Sequence, residues 1–111
     1  METQVVWSNR ASVNLQNIYN YIANDSEVYA NRFIKLLITS VVESSLKTFP
    51  LSGRLVPEFQ DTHLNFLKEV IYKGYRIIYN PTKFPQSITV IAVIKGRMDI
   101  LRTVKSSWVI D

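Results

Sequence analysis

Three arginines and one glutamate carry most of the chemistry this sequence could perform. Arg54 stands in a Ser-Gly-Arg loop, Glu69 and Arg76 flank a Lys73-Gly74 step, and Arg97 follows Lys95-Gly96. Guanidinium groups grip phosphate or carboxylate through paired N–H donors, so convergence of Arg54, Arg76 and Arg97 would make an anion-binding patch. If Lys73 and Gly74 are the two central residues of a hairpin turn, Tyr72 pairs with Tyr75, Ile71 with Arg76, Val70 with Ile77, Glu69 with Ile78 and Lys68 with Tyr79. Cross-strand partners share a face. One face then carries Glu69, Ile71, Arg76 and Ile78, which makes Glu69 and Arg76 diagonal neighbours able to pair. The other carries Lys68, Val70, Tyr72, Tyr75, Ile77 and Tyr79 and is the better face to meet helices. A Glu–Arg pair on a half-exposed sheet face reads first as structural; its alternative is an arginine held ready for an anion.

The elements that must position these groups change period midway along the chain. Residues 3–7 are β-prone, and Ser8 or Asn9 is placed to cap a helix directly after them. Ala11, Leu15, Ile18, Tyr19 and Ile22 form one stripe of an amphipathic helix. Asn24-Asp25-Ser26 interrupts it and supplies a second cap, with Glu27 favourable to the helix dipole. A longer helix is expected to about Thr48, where Pro50 stops it. That helix is apolar on more than the roughly 100° stripe a sheet can bury. The first expectation is that the preceding helix covers the surplus. The functional alternative is a flank that receives a partner segment, with Phe33, Ile34, Ile38, Val41 and Val42 as its contacts. Residues 50–63 read as a loop, residues 66–72 and 75–80 as hairpin strands, and residues 88–94 as a near-continuous apolar strand inside its sheet. Ile100, Leu101, Val104 and Trp108 suggest a short helix in the tail, residues 99–111.

The expected architecture is α+β: an N-terminal strand, a helical hairpin, then antiparallel strands in the order β-α-α-β-β-β, with the helices on one sheet face. With 111 residues and no internal repeat or linker, one domain spanning residues 1–111 is expected. The absence of cysteine excludes disulfides, thiolate catalysis and cysteine-ligated metals, and the single His63 leaves an imidazole metal site short of ligands. No metal or cofactor is implied. No apolar run approaches the roughly 20 residues of a membrane span. The start Met-Glu-Thr-Gln-Val has no signal-peptide character, so a cytoplasmic protein is expected. Residues 1–49 balance four cations with four acids, whereas residues 50–111 carry nine cations against five acids. The whole net charge of +4 thus belongs to the second half. Gathered on one face, it would favour an anionic partner.

The ordered set Ala11-x3-Leu15-x2-Ile18-x2-Tyr21-Ile22-Ala23, Phe49-Pro50-x2-Gly53-Arg54, Glu69-x5-Tyr75-Arg76-Ile77-Ile78-Tyr79 and Ile91-Ala92-Val93-Ile94-Lys95-Gly96-Arg97 resembles the RelE/ParE toxin superfamily over roughly residues 3–98. The resemblance implies a bacterial toxin of a type II, plasmid-stabilisation-type module. Its partner would be a cognate antitoxin that wraps it in a hetero-oligomer, in line with the over-apolar second helix. RelE-like members cut mRNA on the ribosome with cations and an acid–base group on the exposed sheet face. ParE-like members poison DNA gyrase without that set.

Arg76 and Arg97 match two arginines of the nuclease pattern. Leu67 and Glu69 stand where its lysines belong, Thr103 falls near its tyrosine, and Lys68 is one residue off, hence on the opposite face. Cleavage by 2′-hydroxyl attack needs proton acceptors and donors as well as charge. Arginine is a poor acceptor, His63 matches no catalytic position, and Arg76 beside Glu69 would weaken it as a base. The expectation is therefore a ParE-like gyrase inhibitor that uses Arg54, Glu69, Arg76, Lys95, Arg97 and Trp108 toward its target. Its alternatives are a ribosome-dependent mRNA endonuclease using Arg54, Arg76 and Arg97, and a non-toxic antitoxin-binding module.

Overall fold

The structure, a computed structural model, describes residues 3–96. Arg97, Trp108 and the helix expected in residues 99–111 lie outside the described residues. Strand β1 (Gln4–Trp7) leads into helix α1 (Asn9–Ala23), whose first turn is capped by Ser8: its Oγ accepts the Ala11 N–H at 3.1 Å. Helix α2 (Glu27–Leu37) begins the same way, with the Ser26 Oγ accepting the Tyr29 N–H at 3.1 Å and Glu27 in the first turn.

Beyond Leu37 the expected helix continues to Leu46, but its turns widen into π-helix over Ile38–Leu46. The Lys47 N–H reaches back five residues to the Val42 carbonyl at 2.9 Å. Phe33, Leu37, Val41, Val42 and Leu46 are buried through both segments, with Phe33 against Tyr72 and Tyr75 and Val41 and Leu46 in the cluster with Ile77, Tyr79 and Val90. The spacing of the buried residues, Leu37, Val41 and Val42, then Leu46, follows the wider turn.

Strands β2 (Arg54–Leu55), β3 (Lys68–Tyr72), β4 (Tyr75–Asn80) and β5 (Ser87–Lys95) complete a five-stranded sheet in the order β1-β5-β4-β3-β2. The sheet is mixed rather than wholly antiparallel, because β1 pairs parallel with β5, Gln4 opposite Ser87 through Trp7 opposite Val90. The helical hairpin carries the chain from β1 at one edge to β2 at the other, and the antiparallel run β2-β3-β4-β5 returns to bring β5 alongside β1. β2, only two residues long, lies within the segment expected as loop, with Arg54 opposite Glu69. The β3–β4 hairpin has the expected register, from Tyr72 opposite Tyr75 to Lys68 opposite Tyr79. Both turn residues have positive φ, 48° at Lys73 and 85° at Gly74, as a two-residue turn matched to strand twist requires.

The apolar run of β5 is explained by burial on both faces and by a bulge. Ile78 pairs with Ala92 but Tyr79 pairs with Val90, so Ile91 is the extra residue. Ile88, Val90 and Val93 pack with Ala11, Val41, Leu46, Ile77 and Tyr79 beneath the helices. Ile91, Ala92 and Ile94 pack on the other side with Val56, Phe59, Leu64, Leu67 and Ile78. A regular strand would have sent Ile91 and Ala92 to opposite faces. The second sheet face, expected to be half exposed, is thus roofed by residues 56–67. Each fully buried side chain there contributes about 1.5–3 kcal/mol of transfer free energy. No helix among the described residues is long and apolar enough to cross a membrane.

Candidate functional site

At the edge of that second face, four charged side chains from four short segments form a chain of contacts. Glu69 projects from β3 and Arg76 from β4, and the Arg76 Nε donates to Glu69 Oε1 at 2.7 Å. The other Glu69 oxygen accepts the Arg54 Nε, also at 2.7 Å, because the β2–β3 pairing sets Arg54 opposite Glu69. A short 3₁₀ turn, Pro57–Phe59, then carries Glu58 over Arg76. Arg76 Nη1 donates to Glu58 Oε2 and Nη2 to Glu58 Oε1, each at 2.6 Å. Nη1 also reaches the Gly96 carbonyl at 3.3 Å.

Burial separates the four. The side chains of Glu69 and Arg76 are 0% and 6% exposed, Glu58 is 35% exposed and Arg54 58%. Hydrogen bonding to Glu58, then to Glu69, raises the Arg76 pKa against the opposing effect of burial. Hydrogen bonding to the Arg76 guanidinium in turn holds the Glu58 carboxyl below the usual carboxylate range, again against desolvation. Arg76 has its nitrogens engaged on two carboxylates and a carbonyl, so none is left facing solvent for a ligand. Arg54 differs: its side chain is largely exposed and, among the described residues, pairs through Nε with Glu69.

These residues line a shallow groove of about 370 Å³ walled by Arg54, Pro57, Glu58, Ile71, Gly74, Arg76 and Gly96. Beneath it, Gly53 sets the approach of β2 to the sheet. Its N–H donates to the Tyr79 hydroxyl at 2.9 Å, and its carbonyl accepts from Lys68 Nζ at 3.1 Å. A Cβ at Gly53 would lie 2.5 Å from that hydroxyl and 2.7 Å from the Glu69 carbonyl oxygen, so only glycine fits. The Gly-Arg pair is therefore a device for docking the loop and hanging Arg54 beside Glu69. Lys68 lies on the helix side with Tyr79 and takes no part in the groove, as strand alternation requires.

Of the residues singled out in the sequence, Arg54, Glu69 and Arg76 come together, and Lys95 is exposed at the end of β5 opposite Tyr75. The expectation of one cationic face is not met within the described residues, because Glu58 and Glu69 neutralise Arg76 and Arg54. His63 is a loop residue at the surface, and Leu67 is buried in the core that residues 56–67 form against the sheet. On the second helical segment, Phe33, Val41 and Val42 are buried, Phe33 with its ring centroid 5.6 Å from that of Tyr75 and 5.9 Å from that of Tyr72. Ile34 is half-buried, as is Ile38. Glu58 is the site residue that no sequence pattern singled out. Its one local signal is Pro57-Glu58, a proline followed by an acid, which commonly opens a helical turn.

Comparison with known proteins settles the family. The model for the ParE toxin of the type II toxin–antitoxin system parDE matches residues 5–100. The chain belongs to the ParE toxin family. Two solved structures share the fold of this ParE-type toxin. The chromosomal ParDE toxin–antitoxin system from P. aeruginosa aligns with TM-score 0.64 and 12% identity over 84% of this chain and 95% of that one. The RelBE2 toxin–antitoxin complex from Mycobacterium tuberculosis aligns with TM-score 0.62 and 14% identity over 86% of this chain and 99% of that one. No curated protein matches this ParE-family chain.

Proposed function

We propose that this ParE-type toxin acts in the cytoplasm by inhibiting DNA gyrase through protein contacts, and that a cognate antitoxin neutralises it. The observation that carries the reading is the state of Arg76. A ribonuclease of the RelE type needs free cations and a proton-transfer group at the sheet face. Here every nitrogen of the buried guanidinium is engaged, by Glu58, Glu69 and Gly96. The acids near it, Glu58 and Glu69, are held as its ion-pair partners, and a carboxylate with depressed pKa, as at Glu58, is a weak base.

An antitoxin partner is supported by the two structural relatives, both toxin–antitoxin systems. The surface it would cover is the exposed part of the helical hairpin. Val13, Tyr21, Val28, Tyr29 and Leu36 are exposed on the two helices, and Ile34 and Ile38 are half-buried. Exposed apolar side chains of this number on one hairpin suit a partner's amphipathic segment. In this reading the groove residue Arg54, together with Lys95, meets the target, and the module serves to retain the genetic element that encodes it. The test is a gyrase supercoiling assay with purified toxin, in which the toxin should block supercoiling and added antitoxin should restore it.

A further inference from the structure

Glu58 sits on Arg76 as a ligand would. The two carboxylate oxygens meet the two outer guanidinium nitrogens at 2.6 Å each, side by side. Two oxygens of a phosphate present a similar spacing to the same fork. The surroundings also suit a phosphate. Arg54, its side chain 58% exposed and bonded through Nε, lines the groove wall. Gly74 and Gly96 line it without side chains, and a Cβ built at Gly74 would meet nothing within 4 Å. Glu58, by contrast, comes from a three-residue turn and is 35% exposed, so it can leave the charge chain without opening the core. Glu69, fully buried, holds Arg76 from the other side through Nε.

We infer that the groove is a phosphate-binding site filled by the chain's own Glu58, and that Glu58 is the residue that bars nucleic acid from it. The carboxylate excludes phosphodiesters twice over, by occupying the fork and by adding a like charge. The groove charges, Arg54 and Arg76 against Glu58 and Glu69, then sum to zero. Without Glu58 they sum to +1, with two arginines lining one groove. Phosphate binding in the groove stands apart from gyrase inhibition: either can fail while the other holds.

The experiment measures binding of pyrophosphate and of a short single-stranded RNA to the purified full chain. It compares wild type, Glu58→Gln and Glu58→Ala, after near-ultraviolet circular dichroism has established that each is folded. Glu58→Gln keeps the shape and one acceptor for Arg76, which safeguards folding should the alanine variant fail. Chemical shifts of the Gly74 and Gly96 amides locate the ligand. The expected result is weak binding by wild type and affinity about tenfold or more higher in folded Glu58→Ala, where the freed guanidinium fork binds phosphate bidentately. Glu58→Gln should show a smaller gain, because it removes the like charge but still fills the fork. The gain should shrink as salt rises and disappear when Arg54→Ala is added. Equal affinity of wild type and a folded Glu58 variant overturns the inference, as does a gain that leaves the Gly74 and Gly96 signals unmoved. Gyrase inhibition by the wild type, scored separately, bears on the proposed function and not on this site.

Discussion

The Glu58 carboxylate and the Arg76 guanidinium meet as two parallel forks, both oxygens on both outer nitrogens at 2.6 Å. This contact converts an arginine that resembles a catalytic cation into a member of a closed charge chain. Arg76 and Glu69 together link β3 to β4, and Glu58 and Arg54 fasten the flanking loop to them.

Removing Arg76 should therefore be a stability event. Arg76→Ala takes from fully buried Glu69 its buried partner and from Glu58 the guanidinium that holds it, a loss of about 3–5 kcal/mol for a broken buried pair. Urea unfolding of the purified toxin measures this directly. Wild-type stability in Arg76→Ala would mean that the pair is not what holds the edge.

The loop dock at Gly53 predicts two further losses. Tyr79→Phe leaves the Gly53 N–H without its buried acceptor, at a cost of about 1–2 kcal/mol. Gly53→Ala forces a methyl group against the Tyr79 ring and the Glu69 backbone, for about 1–3 kcal/mol. Burial raises the Tyr79 pKa above its usual 10.0. The neutral phenol is then the form the fold favours, so its stabilising contribution is present below pH 10 and is lost as pH rises through the elevated folded value. Alkaline unfolding should be shallower in Tyr79→Phe.

Glu58 should make stability depend on acid. Its folded pKa lies below the ordinary 4.5 through hydrogen bonding to Arg76. Its contribution is accordingly present above pH 4.5 and is lost as pH falls through the depressed folded value. Thermal stability should fall between about pH 5 and pH 3 in wild type, with a smaller fall in Glu58→Gln. Identical slopes would show that the pair carries no linkage.

The hairpin turn offers a gain. Lys73 holds φ at 48°, a left-handed conformation that asparagine tolerates better. Lys73→Asn should stabilise by roughly 0.5–1 kcal/mol, and Gly74→Ala at φ 85° should destabilise by about 1–2 kcal/mol. Both are read from denaturation midpoints.

Much of this charge chain is legible in the amino-acid sequence. A two-residue turn leaves one register, and alternation assigns every side chain to a face, so the Glu69–Arg76 pairing follows from Lys73-Gly74 alone. The caps at Ser8 and Ser26 are equally local. The parallel partnership of β1 with β5 is hidden, because a four-residue strand carries no information about which distant edge it joins. Likewise, Glu58 reaches Arg76 only through the joint placement of Gly53, β2 and the turn at Pro57, none of which has a period. The surplus apolarity of the second helix has two physical sources invisible in a regular helical wheel: π-helical turns over Ile38–Leu46 and the aromatic contact of Phe33 with Tyr72 and Tyr75.

A sheet face with its arginine consumed should act on a protein target and should not cut RNA. One preparation of purified toxin, split between a gyrase supercoiling reaction and programmed ribosomes with mapped mRNA ends, tests this most directly. Blocked supercoiling with intact mRNA is the predicted result; mRNA cut in the ribosomal A site with supercoiling unaffected would contradict it.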